Sequence, residues 1–165
     1  MLFILAQICG VIVLILTVIS VQFKTKEKIV MCMVFANIVV TIQYFLLNAV
    51  TGAVVSITNV IRCIVFYYYK KKDKKPSVMI LLIFEIAAIV SGIISWQNIW
   101  SIIPVVVTVI YTYGLWQDNV KVIRIATAIA GLGWAIYNGI VMAYVGAIQS
   151  ISQLISSVIA LVRNK

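Results

Sequence analysis

The sequence predicts an all-α membrane protein: seven transmembrane helices in a 3+1+3 arrangement of parallel repeats, with the N-terminus outside and the C-terminus inside. Three observations predict it. The 165 residues are 64% hydrophobic and 10% charged, with a mean hydropathy of +1.17, well beyond the apolar share of a soluble domain. Apolar runs of roughly 17 to 22 residues, the length a bilayer-crossing helix needs, recur between polar breaks. The stretch from Gln43 to Lys75 also returns 94 positions on. Gly146-Ala147 answers Gly52-Ala53, Ser152-Gln153 answers Thr58-Asn59, and Arg163 and Lys165 answer the lysines after Tyr69. Internal repeats are where membrane transporters build their binding sites.

The first span runs from Leu2 to Phe23. It begins without a basic segment, has no small-x-small cleavage site and is followed by Lys24, Lys26 and Lys28, which points to a retained helix and not a signal peptide. The second span is Ile29 to Asn48, and a tight reversal at Leu47 to Gly52 leads into the third, Thr51 to Tyr69. After KKKDKKPS, where Pro76 suits a helix start, the fourth runs from Val78 to Ser95. Trp96-Gln97-Asn98 leads to the fifth, Ile99 to Trp116; the sixth is Lys121 to Val141 and the seventh Ala143 to Val162.

Charge tests this count, because alternate loops share a side of the membrane. Twelve of the 13 Lys and Arg fall in loops one, three and five or in the tail, and none in loops two, four and six. Basic loops stay cytoplasmic, which gives the orientation. Trp96, Trp100, Trp116 and Tyr67 to Tyr69 stand at span ends, where amphipathic rings favour the interface. The organisation is a first three-helix repeat over residues 1–69, a basic loop and linker helix over 70–98, and a second repeat over 99–165. Four spans precede the second triplet, so both triplets enter the membrane from the same side.

The net charge of +9 would suggest nucleic acid in a soluble protein, but clustered between apolar runs it is a topology signal, with lipid headgroups as a further partner. There is no His, and Cys9, Cys32 and Cys63 lie inside apolar runs without a CxxC spacing. Neither a metal site, a cofactor nor a disulfide framework is expected. No nucleophile and base pair and no pair of carboxylates within the spans is found, so an enzyme is not expected.

QYFLLNAVTGA and NVIR in the second and third spans, IPVVVTVIYTYGLW in the fifth, and WAIYN with VGAIQSISQ in the last pair resemble the YgjV family of bacterial inner membrane proteins. That family is similar to the SWEET/PQ-loop group, whose members share the 3+1+3 arrangement and mostly move small solutes by alternating access. Other members of the group are receptors, so fold alone does not assign function. The resemblance implies the bacterial cytoplasmic membrane, a small-molecule solute and homo-oligomers, since SWEET relatives often associate. It also implies a pocket lined by Asn59 and Gln153, one amide from the third helix of each repeat, and by Gln43 and Tyr137 sixteen positions earlier. The PQ dipeptide of the group is missing here, and Pro104 alone stands for its helix-bending hinge prolines.

Amides within a span are costly unless they hydrogen-bond. Asn59 and Gln153 read either as interhelical ties or as solute contacts, with Ser56, Gln149 and Ser156 beside them at helical spacing. Tyr44, Asn138 and Trp134 offer ring and amide surfaces for a small polar or planar solute, or packing. Arg62 and Glu85 each lie about two turns inside the basic boundary, and their matched depth suggests a structural ion pair between the third and fourth spans. Alternatives are Glu85 as a proton carrier, and Arg62 snorkelling or attracting an anion. Gly131, Gly133 and Gly139 leave room for close helix approach or bending. The expectation is a facilitator of a small polar or neutral solute, such as a sugar or vitamin-like metabolite. The rival is a receptor or assembly protein of the same fold.

Overall fold

The computed structural model describes residues 1–22, 26–72, 74–117 and 119–163, and of 18–22, 26–30, 70, 120, 160 and 163 the backbone alone. Lys24 and Lys165, two of the topology lysines, lie outside the described residues. Among the described residues there are no strands and seven α-helices. These are α1 (Leu2–Gln22), α2 (Lys26–Leu46), α3 (Val50–Lys71), α4 (Val78–Ile94), α5 (Ile102–Trp116), α6 (Val120–Ile140) and α7 (Tyr144–Arg163), with a 3-10 turn at Ile99–Ser101 before α5. Helix ends agree with the expected spans to within three residues. Val50–Tyr69 and Ile99–Trp116 are long and apolar enough to cross a membrane.

The helices close on themselves. α1 packs on α2, α2 on α3, α3 on α5, α5 on α6, α6 on α7 and α7 on α1, while α4 lies against α3 and α5. The outward faces are apolar: on α4 alone, Leu82, Ile83, Ile86 and Ile93 are each at least half exposed. Soluble proteins rarely expose contiguous apolar surface of this kind, so hydrocarbon is its natural solvent. At the basic end, Lys72 lies 4.3 Å from the centroid of Tyr68 and Lys75 lies 4.0 Å from that of Trp116, cation–π contacts suited to the interface.

Small residues set the helix spacing. A Cβ on Gly92 would fall 2.0 Å from a Val105 methyl, one on Gly114 2.3 Å from the Ala126 Cβ, and one on Gly133 2.2 Å from a Val107 methyl. The close approach expected of Gly133 is thereby found, whereas Gly139 faces open space. Pro104 is buried in the first turn of α5, a place where a missing N–H is tolerated.

The α2–α3 and α6–α7 turns repeat bond for bond at the 94-residue spacing. Ala49 N–H donates to Tyr44 O at 2.9 Å and Asn48 N–H to Phe45 O at 3.1 Å; Ala143 N–H donates to Asn138 O at 2.8 Å and Met142 N–H to Gly139 O at 3.3 Å. This is the Schellman closure, which needs a left-handed residue after the helix. Asn48 (φ 55°) and Met142 (φ 59°) supply it. Asn tolerates that conformation and Met does not. Met142→Gly is therefore expected to stabilise the protein by about 1 kcal/mol and Asn48→Gly by less, read as midpoints of thermal unfolding in detergent.

Each turn is also bridged by one glutamine. Gln97 donates to Asn48 O at 3.1 Å and accepts from Val50 N–H at 3.0 Å. Gln7 donates to Met142 O at 2.8 Å and accepts from Val145 N–H at 3.4 Å. Each side chain thus satisfies a carbonyl ending one helix and an N–H starting the next. Gln7 lies in α1 yet ties the turn of the last two helices, and Gln97, just before α5, ties the turn of α2 and α3.

Candidate functional site

A cavity of about 140 Å³ lies inside the bundle. Helical spacing builds its walls. α3 contributes Ser56, Asn59 and Arg62, α2 contributes Asn37, Val40 and Tyr44, α6 contributes Ala130, Trp134 and Asn138, and α7 contributes Gly146, Ser150 and Gln153. These are runs of three and four residues, which return to one face of a helix.

Toward the two turns, polar contacts join lining residues of α2, α6 and α7. Tyr44 Oη donates to Asn138 Oδ1 at 2.7 Å, Asn138 Nδ2 to Ser150 Oγ at 3.2 Å, and Ser150 Oγ to Gly146 O at 2.9 Å. Tyr44 and Asn138 are 94 positions apart, and their carbonyls accept the matching bonds of the two turns. Tyr44 stacks on Trp134 at 5.9 Å with 19° between the ring planes, and Tyr137 meets both rings edge-on.

Tyr137 itself does not line the cavity, contrary to what the resemblance implied. It is buried, one residue and therefore about 100° around α6 from Asn138, and its hydroxyl accepts the Gly52 N–H at 3.0 Å in the first turn of α3. The other six expected solute contacts, Asn59, Gln153, Gln43, Tyr44, Asn138 and Trp134, all reach the lining. No hydrogen bond joins Asn59 to Gln153, so the pair does not tie the helices together. Ser156, expected nearby, is exposed.

The lining holds unmet polarity. Gln43 Nε2, Asn59 Oδ1 and Arg62 Nε are buried without a hydrogen-bond partner, on residues that are 2%, 6% and 2% exposed. Buried polar groups are almost always paired, by protein or by something that occupies the space beside them.

The expected Arg62–Glu85 ion pair does not form. Arg62 turns to α5, where its Nη1 donates to Thr112 Oγ1 and its guanidinium carbon lies 5.4 Å from the Tyr111 ring centroid. Matched depth did not imply matched direction. The packed stripe of α4 is Leu81, Phe84, Ala88 and Gly92, and Glu85 stands about 100° off it. Reading the sequence also missed Asn37, Ser150 and Tyr111 as lining, and Gln7 as a tie. For Gln7 a signal was present: a lone amide in an apolar run demands a partner.

Seven helices with apolar outer faces, packed around a cavity that carries several polar side chains, define an all-helical membrane protein. The chain belongs to the Imp-YgjV family of bacterial inner membrane proteins, whose family model matches residues 4–165. No curated protein and no solved structure matched it.

Proposed function

We propose that the protein is a facilitator that carries a small polar solute across the bacterial inner membrane by alternating access. Its two parallel three-helix repeats would rock about the cavity, with the N-terminus outside and the basic loops in the cytoplasm. The observation that carries this reading is the set of three orphaned polar atoms on Gln43, Asn59 and Arg62, all on the lining of one cavity. Buried polar groups are mostly paired, and of the four orphaned side-chain atoms among the described residues only Thr108 Oγ1 belongs to a residue off the lining.

Two further features support it. The bond between Tyr44 and Asn138, 94 positions apart, would lie between the two repeats, where rocking could break it without either repeat changing internally. The cavity is also of a size with the roughly 150 Å³ that accommodates benzene in an engineered site, which suits a solute of about one small ring.

The test is a melting-temperature screen of purified protein against small sugars, nucleobases, amino acids and carboxylates, followed by flux of each stabilising compound into proteoliposomes. Stabilisation by one compound together with saturable, protein-dependent flux of it is expected. Stabilisation without flux would make the protein a receptor, and stabilisation by none would remove the binding role.

A further inference from the structure

We infer that the solute is a small organic anion, a carboxylate about one ring in size, whose charge is met by Arg62. This deepens the cavity reading above and rests on it.

Arg62 is the one basic residue that the sequence places away from the loops and tail, and it is 2% exposed on the cavity lining. A guanidinium cannot shed its proton, so the charge stays in the bundle. Its neighbours do not balance it. The Thr112 hydroxyl that accepts from it donates onward to Thr108 O at 2.6 Å, and the Tyr111 ring is neutral. Among the described residues no carboxylate lies within ion-pairing distance of it. The charge does not escape by snorkelling either, since a snorkelled side chain would be exposed at the basic end.

A membrane protein rarely keeps such a charge without a counter-ion or a task. A neutral amide could tie α3 to Thr112 without that desolvation. An anion in the cavity would supply the missing charge, meet Nε, and find a further donor in Gln43 Nε2, while Asn59 Oδ1 would accept from a hydroxyl or N–H elsewhere on the solute.

Shape narrows the class. The guanidinium fork matches a carboxylate in two parallel hydrogen bonds. The nearly parallel rings of Tyr44 and Trp134 offer a flat wall to a planar body, and the volume admits about one ring. The repeat counterpart of Arg62 is Ser156, which is exposed and off the lining, so the charge stands on one wall and orients the solute.

The probes are benzoate and nicotinate, each against its neutral amide, benzamide and nicotinamide, with binding measured by calorimetry on the detergent-solubilised full chain. The parent is expected to bind at least one acid roughly 10-fold or more tightly than its amide. In Arg62→Gln that preference is expected to vanish, and in Arg62→Lys, which keeps the charge without the fork, to fall between the two. Where Arg62→Gln fails to fold, the acid-to-amide ratio of the parent and its change in Arg62→Lys decide. Amides bound as well as acids, no acid bound at all, or an unchanged preference in Arg62→Gln would each overturn the inference. Binding and flux of neutral solutes alone would overturn the anion assignment and leave transport standing. Acid binding without liposome flux would do the reverse.

Discussion

Gly52→Ala is expected to destabilise the protein by about 2 kcal/mol, through lost packing and a lost hydrogen bond together. A Cβ at position 52 would stand 2.8 Å from Tyr137 Cε1 and 2.9 Å from its hydroxyl oxygen. The ring has little room to retreat, because Tyr44 and Trp134 pack edge-on against it. Its displacement breaks the bond to the Gly52 N–H and loosens Tyr44, which donates to Asn138 on the cavity lining. The repeat supplies a control: a Cβ on Gly146 would meet the Asn138 amide at no less than 3.2 Å, so Gly146→Ala is expected to cost less. Thermal unfolding of both variants checks the order. A double-mutant cycle adds the mechanism, since Gly52→Ala in a Tyr137→Phe background, where the hydrogen bond is already absent, should cost less than in the parent. Equal costs in the two backgrounds would show that the bond plays no part.

Asn59→Leu is expected to separate function from stability. The Asn59 amide is 6% exposed with Oδ1 unpaired, and an apolar side chain of similar size removes that desolvation cost. Stability should hold or rise by up to about 1 kcal/mol. Solute flux into liposomes should fall by roughly 10-fold or more, the loss of a hydrogen bond or two to the solute. Gln153→Leu should act in the same direction more weakly, because Gln153 is only half-buried. Flux retained with stability lost would return Asn59 to a purely structural role.

Much of the fold was legible because hydrocarbon imposes a length on the apolar runs. Lys26, Pro76 and Asn119 each mark a break in the apolar pattern beside a helix end, and the ends came within three residues. The likeness of the two turns was legible for a different reason. A Schellman turn followed by a glycine in the next helix constrains a short stretch of chain, so Asn48-Ala49 and Met142-Ala143 carry the same backbone despite different side chains. Six of the seven expected lining residues reach the cavity, and all of these but Gln43 have another polar or amphipathic side chain three or four positions away on the same helix. What was not legible is direction around a helix where a single residue decides it. Tyr137 and Asn138 are adjacent, and one caps α3 while the other faces the cavity. Arg62 and Glu85 share a depth but not a facing. The partners of the glutamine ties could not be read, since Gln7 and Gln97 act on turns far along the chain, at separations of 135 and 49 residues.

Alternating access would open one cavity, lined from α2, α3, α6 and α7, to each side of the membrane in turn. It is tested most directly by placing a single cysteine at position 59, in a chain with Cys9, Cys32 and Cys63, none of which is disulfide-bonded, replaced by serine. A membrane-impermeant thiol reagent is then applied to oriented vesicles from either face, with and without a stabilising solute. Alternating access requires labelling from both faces, slowed from both by the solute. Labelling from one face only, whatever solute is present, would contradict it and leave a binding protein that does not transport.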